Sequence, residues 1–426
     1  MQRSAHDTES LVFFILLQLT LIVLSSRLAG NVARRIRQSR AVGEIVVGIL
    51  LGPSLFGLLA PGIFGYVFHS VSGEPLTILS QVGLILLMFQ IGLEFDFSHV
   101  AAAQNRRAVY LIAAAGIAAP FLVGIGFGVL SAEALARSGT WPAYCLFVGT
   151  AFSITALPIL GRIMIELRMH RTVLGFIAIS AAAINDVVGW LLLAIVSALA
   201  AARFSGTQFA LRVVLLAGFV ALSFGVVRPL LHRFVARAQA RGDPLSPGLL
   251  SVVLAAVFLA GMSTHLLGIF AIFGGFLLGV LLHDRESLVS AWRERVGGFV
   301  EVFFLPIFFT YTGLRTDIRS LDSATLWAWC GLLFAMAAAG KLGACYIAAR
   351  WAGLDVRQSG AIGIMMNTRA LMELVVVNVG YDLGVIPPAV FTMLVLMAIG
   401  STLITTPALR GWLAHDPAFV AAQSGG

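Results

Sequence analysis

Residues 180–190 read Ser-Ala-Ala-Ala-Ile-Asn-Asp-Val-Val-Gly-Trp, and they place one carboxylate, Asp186, in the middle of an apolar run from about Val173 to Ala201. The run exceeds the roughly 20 apolar residues that an α-helix needs to cross a bilayer. A carboxylate near the centre of such a helix costs about 3 kcal/mol on insertion scales, so it is retained where it faces a cavity, a partner or an ion. Asp186 is therefore the first candidate for a functional site. The alternative is a structural hydrogen bond between helices.

The composition places the whole chain in a membrane. Of its 426 residues, 59% are hydrophobic and 11% are charged, with a mean hydropathy of +0.96, whereas soluble proteins carry about 25% charged residues. The net charge of +8 does not indicate a nucleic-acid partner, because most of the arginines fall in loops or at helix ends, where membrane topology accounts for them. The three cysteines show no metal-ligand spacing. No motif predicts an enzyme or a bound cofactor.

Thirteen apolar segments predict an all-α, multi-pass protein of the cell membrane. The loops on one side of these segments, with the C-terminal tail, hold twenty arginines against six on the other side. Basic residues concentrate in cytoplasmic loops, so the N-terminus is expected outside and the C-terminus in the cytoplasm. The segments are centred near residues 11–28, 42–59, 76–94, 108–130, 142–163, 173–201, 209–233, 247–265, 267–283, 298–314, 325–349, 358–382 and 387–409.

The fifth segment is interrupted by a polar sequence that ends in a proline. It contains Ser153, Thr155 and Pro158 within six residues. Proline removes a backbone donor and clashes with the preceding turn, and nearby hydroxyl groups can satisfy the freed backbone groups. The simpler interpretation is a proline kink. The stronger one is a broken helix with open carbonyl groups in mid-membrane.

The twelfth segment is interrupted by Asn367, Thr368 and Arg369. Arg369 and Glu373 are four residues apart, so they share a helix face and can form a salt bridge. A fixed positive charge repels a cation, so Arg369 is expected to hold the helix rather than to bind an ion. If the pair is a simple salt bridge, reversing both charges should restore more function than either single change.

The only lysine of the chain, Lys341, lies inside the eleventh segment. It lies nine positions before Arg350 at the end of that segment, which is far for a side chain that reaches to the membrane surface. We therefore expect a buried carboxylate as its partner. A desolvated lysine can lose its proton, whereas arginine effectively does not.

The two interrupted segments are seven segments apart, so they run in opposite directions through the membrane. This is the pattern of an inverted repeat, with halves at about 11–201 and 247–409 and a linker helix at about 209–233. In such proteins two broken helices cross near the midplane and direct their ends at a binding site. Asp186 and Lys341 would approach that crossing from either side.

Short motifs follow one another in order along nearly the whole chain. They are Gly43-Glu44-Ile45 with Gly48, Leu51-Gly52-Pro53-Ser54, Gly92-Leu93-Glu94, residues 151–162, Ala183-Ile184-Asn185-Asp186-Val187, Phe304-Leu305-Pro306 with Gly313-Leu314, Lys341, and Asn367-Thr368-Arg369 with Glu373-Leu374. In this order they resemble the second monovalent cation:proton antiporter family. The resemblance is greatest to the transport domains of Kef-type potassium systems and CHX-type exchangers.

The resemblance implies a thirteen-helix inverted-repeat fold, usually a homodimer, with elevator-like alternating access. It predicts exchange of K⁺ or Na⁺ for H⁺, with the monovalent cation at Asp186. Asn185, Thr155 and Ser153 are expected to complete the cation and proton site, and the supporting intramembrane groups are Lys341, Asn367, Thr368, Arg369 and Glu373.

Two departures from the family pattern refine these expectations. Kef-type systems carry a cytoplasmic nucleotide-binding domain, whereas residues 1–426 are expected to form a single transmembrane transport domain without one. Electrogenic relatives carry a second aspartate at the position of Asn185, so a single titratable carboxylate predicts electroneutral exchange.

Two alternative functions stay open. One is a channel-like potassium efflux pathway, which would pass current down one gradient. The other is a non-transporting scaffold or sensor, which has no need of costly buried charges.

Overall fold

The computed structural model describes residues 5–36, 38, 40–69, 73–94, 106–136, 141–167, 169, 172–201, 206–239, 245–267, 270–369 and 371–413. In these residues all of the regular secondary structure is helical, and no strand occurs. Eight of the helices are long and apolar enough to span a membrane, or up to ten if each of two bent pairs counts as one span. The all-helical, multi-span class is therefore confirmed, while the count of thirteen stays a prediction.

The predicted orientation also stays a prediction. The orientation depends on the loops that are rich in arginine, and part of these loops lies outside the described residues, including Arg168, Arg171 and Arg241. The predicted repeat halves likewise stay a prediction. The chain divides into two compact units, each of which takes helices from both halves.

The first unit comprises Met1–Leu28, Val47–Asp96 and Ala201–Arg315. Its helices approach closely at glycines: a Cβ added to Gly52 would lie 2.2 Å from the carbonyl oxygen of Gly313, so no side chain fits there. The helices are Ala5–Arg35 up to residue 28, Arg40–Leu50 from residue 47, Phe56–Leu59, Pro61–Phe64, Glu74–Leu93, Gly206–Leu222, Arg228–Gln239, Pro247–Leu266, Ile272–Leu282, Glu286–Trp292 and Leu305–Arg315, with π-helical stretches at Gly65–His69, Ser223–Val227, Arg293–Gly297 and Val300–Phe304.

The second unit comprises Ala29–Val46, Phe97–Ala200 and Thr316–Gly426, and it contains every candidate site residue. We name three of its helices by a residue that each carries: the Gly116 helix (Arg106–Leu135), the Asp186 helix (Val173–Ala201) and the Lys341 helix (Ala324–Trp351). The second unit also holds residues 29–35 of the first helix and residues 40–46 of the second helix. Its other elements are Trp141–Ser153, Leu157–Glu166, the 3₁₀ turn Ile318–Ser320, Val356–Met366, Leu371–Asp382 and Pro388–Trp412.

Both predicted interruptions are confirmed. The first broken helix consists of Trp141–Ser153 and Leu157–Glu166, and the second broken helix consists of Val356–Met366 and Leu371–Asp382. The halves of the second are bent by 42°. Position 158 is the second residue of its half-helix, where a proline without an N–H group leaves no intrahelical hydrogen bond unmade.

The second break has a different local cause, because the Thr368 side chain bonds the backbone where the first half-helix ends. The Thr368 hydroxyl donates to the carbonyl oxygen of Met365 at 2.7 Å, and Asn367 ends the first half-helix. Threonine and asparagine side chains compete with the helical backbone in this way.

Candidate functional site

The two broken helices meet at their interruptions and are joined by hydrogen bonds. The Thr155 hydroxyl donates to the carbonyl oxygen of Met366, and the backbone N–H of Ala156 donates to that of Thr368, both at 3.0 Å. All four residues are buried. The predicted crossing is thus present, and it places open helix ends in the interior of the second unit.

The C-terminal end of the first half-helix is capped by two cations. Arg369 donates from Nη1 to the carbonyl oxygen of Ala151 and from Nη2 to that of Phe152, both at 2.9 Å. Lys341 donates from Nζ to the carbonyl oxygen of Ser153 at 2.5 Å. Both cations are fully buried. A helix C-terminus carries partial negative charge, so it stabilises cations that water does not reach.

Lys341 therefore has a different partner from the expected one. Its second hydrogen bond, at 2.6 Å, goes to the carbonyl oxygen of Gly116, and it forms no ion pair with a carboxylate in the described part of the chain. Asp186 is close enough to interact with it electrostatically only. The prediction of a carboxylate partner was wrong, because open backbone carbonyl groups at the break supply the negative charge instead.

The predicted pair of Arg369 and Glu373 is confirmed, with 3.6 Å between Nη1 and Oε2. Arg369 also donates to the carbonyl oxygen of Ala337 at 3.2 Å, so its guanidinium joins the second broken helix to the first and to the Lys341 helix. This is the holding function that the sequence predicts for it.

Asp186, unlike Glu373, forms no ion pair with a cationic side chain in the described part of the chain. It is 1% exposed, and neither of its oxygens has a hydrogen-bond partner of normal geometry among the described residues. It does interact with the backbone N–H of Leu157, the first residue of the second half-helix. A helix N-terminus carries partial positive charge, so the carboxylate lies opposite an end of complementary charge.

Asn185 connects the crossing to the Gly116 helix. Its surroundings favour the amide orientation in which the nitrogen donates to the carbonyl oxygens of Ala113 at 3.0 Å and Ala181 at 3.3 Å. The other end of the amide, 3.4 Å from the Thr155 hydroxyl, is then the carbonyl oxygen. The structure thus brings the oxygens of Asn185 and Thr155 together beside the residue that carries the carboxylate.

Comparison with known proteins identifies the family to which this arrangement belongs. The family model described as sodium/hydrogen exchanger, transmembrane, matches residues 20–415. The chain belongs to the sodium/hydrogen exchanger family. This confirms the resemblance that the ordered motifs predict, and it makes the protein a membrane exchanger rather than an enzyme.

Individual relatives agree with this assignment. The exchanger is 38% identical over 405 residues to the Na⁺/H⁺ antiporter NhaS4 of Synechocystis sp., which covers 94% of this chain and 97% of the relative. It is 36% identical over 393 residues to cation/H⁺ antiporter 17 of Arabidopsis thaliana, covering 92% of this chain and 47% of the relative, so it spans about half of that protein. The solved structure of the sodium proton antiporter MjNhaP1 from Methanocaldococcus jannaschii shares the fold, with a TM-score of 0.63, 12% identity, and 97% and 99% of the two chains covered.

Ser153, a predicted ligand, is engaged elsewhere in the exchanger. Its hydroxyl donates to the carbonyl oxygen of Thr150 at 2.8 Å, and its own carbonyl oxygen accepts from Lys341. Asn367 is buried, and its Oδ1 accepts no hydrogen bond in the described part of the chain. The predicted set therefore separates into Asn185 and Thr155, whose side chains meet at 3.4 Å one residue before Asp186, and Ser153, which belongs to the Lys341 contact.

Sequence reasoning missed Gly116. A Cβ at this position would lie 3.0 Å from the Cys345 sulphur and 3.1 Å from the side-chain amide of Asn185, and the Gly116 carbonyl oxygen accepts from Lys341. A glycine in an apolar helix usually indicates close helix packing. Its place between two polar side chains depends on helices that are distant in sequence, so no local signal could identify it.

Thr155 gives the first testable prediction. Thr155→Val removes the hydroxyl that bonds Met366 and faces Asn185, and it keeps the β-branched shape. We expect the apparent cation affinity to fall by about fivefold to tenfold, which corresponds to the free energy of one buried hydrogen bond. The maximal rate should change less. The measurement is a cation titration of liposome exchange. Thr155→Ser is the matched control and should keep the affinity, whereas unchanged affinity in Thr155→Val would contradict the role.

Proposed function

We propose that the exchanger binds a monovalent cation and a proton in turn on Asp186 and carries them in opposite directions by alternating access. The observation that carries this proposal is the buried Asp186 carboxylate, which faces the backbone N–H of Leu157 but has no side-chain hydrogen-bond partner among the described residues. An isolated buried charge is strongly unfavourable. A proton or a metal cation would relieve that cost, and each would exclude the other from the same oxygens.

The neighbouring charges support this role for Asp186. Lys341 donates to two carbonyl oxygens, and Arg369 donates to three and pairs with Glu373. Both fixed cations are therefore committed to the broken helices and their supports. Asp186 is left with the partial charge of one helix end, so a mobile cation has a site that the protein does not fill itself.

The oxygens beside Asp186 suit an alkali-metal ion. Carbonyl and hydroxyl oxygens replace the hydration shell of such ions in protein sites, and Asn185 and Thr155 offer one of each. We leave K⁺ and Na⁺ both open as substrates, because NhaS4 is named for Na⁺ and the Arabidopsis relative for cations in general. The exchanger is further proposed to work as a homodimer with elevator-like movement.

Liposomes that contain purified protein and a pH-sensitive dye test the proposed function. Addition of K⁺, Na⁺ or Li⁺ in turn should change the internal pH. The rate of this change should saturate with cation concentration, and cation flux should occur only in exchange for protons. A lower external pH should raise the apparent KM for the cation, because proton and cation compete for one carboxylate. Cation flux without any proton movement would instead indicate the channel-like alternative.

The second prediction concerns charge movement. Asn185 does not ionise, and Lys341 is bound to two carbonyl oxygens, so one carboxylate would carry one charge in each direction. We expect electroneutral exchange whose rate stays the same when a diffusion potential of a permeant lipophilic ion is imposed. One unbalanced charge would be worth about 2.3 kcal/mol per 100 mV, or up to roughly fiftyfold in rate.

The variant Lys341→Gln makes this test specific. A voltage-dependent rate in the natural protein that disappears in Lys341→Gln would identify the lysine as a second proton carrier and refute the single-carboxylate account. A rate that is independent of voltage in both proteins supports it.

A further inference from the structure

A cavity of about 430 Å³ lies inside the second unit, away from the crossing. Three segments line it: the start of the Gly116 helix at residues 106–108, the start of the Asp186 helix at residues 173–177, and residues 352–358 after the Lys341 helix. Its volume is within the range of small-ligand sites. By the predicted orientation, all three segments lie at the cytoplasmic surface.

The lining of this cavity is basic. Arg106 and Arg107 contribute two guanidinium groups, Gln358 contributes an amide, and no acidic residue lines the cavity in the described part of the chain. Arg350 donates to the carbonyl oxygen of Leu354 at 2.6 Å, which places a third guanidinium at a lining residue.

Asp355, which follows the lining residue Leu354, is a helix cap. Asp355 accepts the Gln358 backbone N–H at 2.8 Å and forms a capping box with it. Gly353, with a φ of +97°, turns the chain between the Lys341 helix and the second broken helix. A side chain added at this glycine would meet nothing within 4 Å, so the turn leaves the cavity open.

We propose that this cavity binds a phosphoryl group, from an anionic phospholipid head group of the inner leaflet or from a soluble phosphate compound. Arg106 and Arg107 place two guanidinium groups in the lining of this cavity. Guanidinium groups bond phosphate oxygens in pairs, and basic pockets between transmembrane helices on the cytoplasmic side are suited to lipid head groups.

The position of the cavity couples the anion to the transport machinery. The Gly116 helix holds Lys341, the Asp186 helix carries the proposed ion site, and residues 352–358 join the Lys341 helix to the second broken helix. A phosphoryl group bound here would fasten the cytoplasmic ends of these helices to one another. Occupancy should therefore raise the thermal stability of the protein and change its exchange rate.

Direct binding tests the proposal on the purified full chain. Native mass spectrometry counts bound phosphatidylglycerol against phosphatidylcholine, and equilibrium dialysis measures inorganic phosphate and ATP. The double variant Arg106→Gln with Arg107→Gln should bind the preferred compound at least about tenfold more weakly, as expected for lost charge-assisted hydrogen bonds. Val173→Trp should weaken binding to a similar extent, because it fills the cavity from an exposed position and keeps both arginines.

A matched control removes the same charge elsewhere. Arg233 and Arg237 are exposed on the Arg228–Gln239 helix of the first unit, and the predicted topology puts them on the same membrane side. Arg233→Gln with Arg237→Gln should bind as the natural protein does. Loss confined to phosphatidylglycerol assigns a lipid source, and loss confined to phosphate or ATP assigns a soluble one. Equal binding by the natural protein and both cavity variants, or an equal loss in the control, overturns the proposal.

Discussion

Replacing Asp186 by asparagine is expected to abolish cation/proton exchange and to leave the protein folded. Asparagine keeps the size of the side chain but offers neither a charge for the cation nor a group that takes up a proton. Exchange in liposomes should fall to the level of protein-free vesicles for every cation tested. This is the largest functional effect that we expect from any single substitution.

The stability of the same variant separates loss of function from misfolding. In the natural protein the buried carboxylate faces one helix N-terminus and pairs with no side-chain cation in the described part of the chain, and a poorly compensated buried charge destabilises a fold by several kcal/mol. Asp186→Asn removes that charge, so the thermal unfolding midpoint at neutral pH should stay the same or rise. A clear fall in the midpoint would show that Asp186 has a structural partner.

Two further variants complete this test. Asp186→Glu keeps a carboxylate and should retain part of the exchange activity. Asp322→Asn removes an exposed acid before the Lys341 helix and should leave exchange unchanged. Normal exchange with pH dependence in Asp186→Asn would exclude Asp186 as the shared site.

The largest effect on stability is expected from Arg369→Gln. This change leaves the buried carboxylate of Glu373 without its cation and withdraws donors from the carbonyl oxygens of Ala151, Phe152 and Ala337. Breaking a buried ion pair from one side costs about 3–5 kcal/mol. The thermal unfolding midpoint should fall steeply, and exchange should fall with the amount of folded protein. The exposed pair of Arg319 and Asp317, at 2.9 Å, supplies the control, because Arg319→Gln should change the midpoint little.

Reversing both charges should fail to restore the protein. A simple salt bridge would tolerate Arg369→Glu together with Glu373→Arg, as the sequence alone suggests. In the structure, a carboxylate at position 369 would face three carbonyl oxygens, and no donor would cap the first half-helix at Ala151 and Phe152. If the double variant were as stable as the natural protein, the contacts to the carbonyl groups would contribute little.

The sequence by itself determined the all-helical class, the two breaks and the costly buried groups. In a bilayer every backbone group must find a partner within the protein, most simply in its own helix, so apolar length and local polar residues decide where helices lie and where they stop. The Asp186 helix runs from Val173 to Ala201, as the apolar run predicts. The i,i+4 pair of Arg369 and Glu373 follows from the same local geometry.

The partners of those groups depended on the tertiary structure. Lys341 bonds Ser153 and Gly116, which are 188 and 225 positions away in the chain, and the sequence favoured a carboxylate for it. Any open helix end can supply negative charge, so the partner is set by which end the fold brings to the lysine. Tertiary packing also decides which helices form each of the two compact units, because helices from both predicted halves pack together in each unit. Burial and hydrogen bonding between distant helices are properties of the packed chain, and local composition does not contain them.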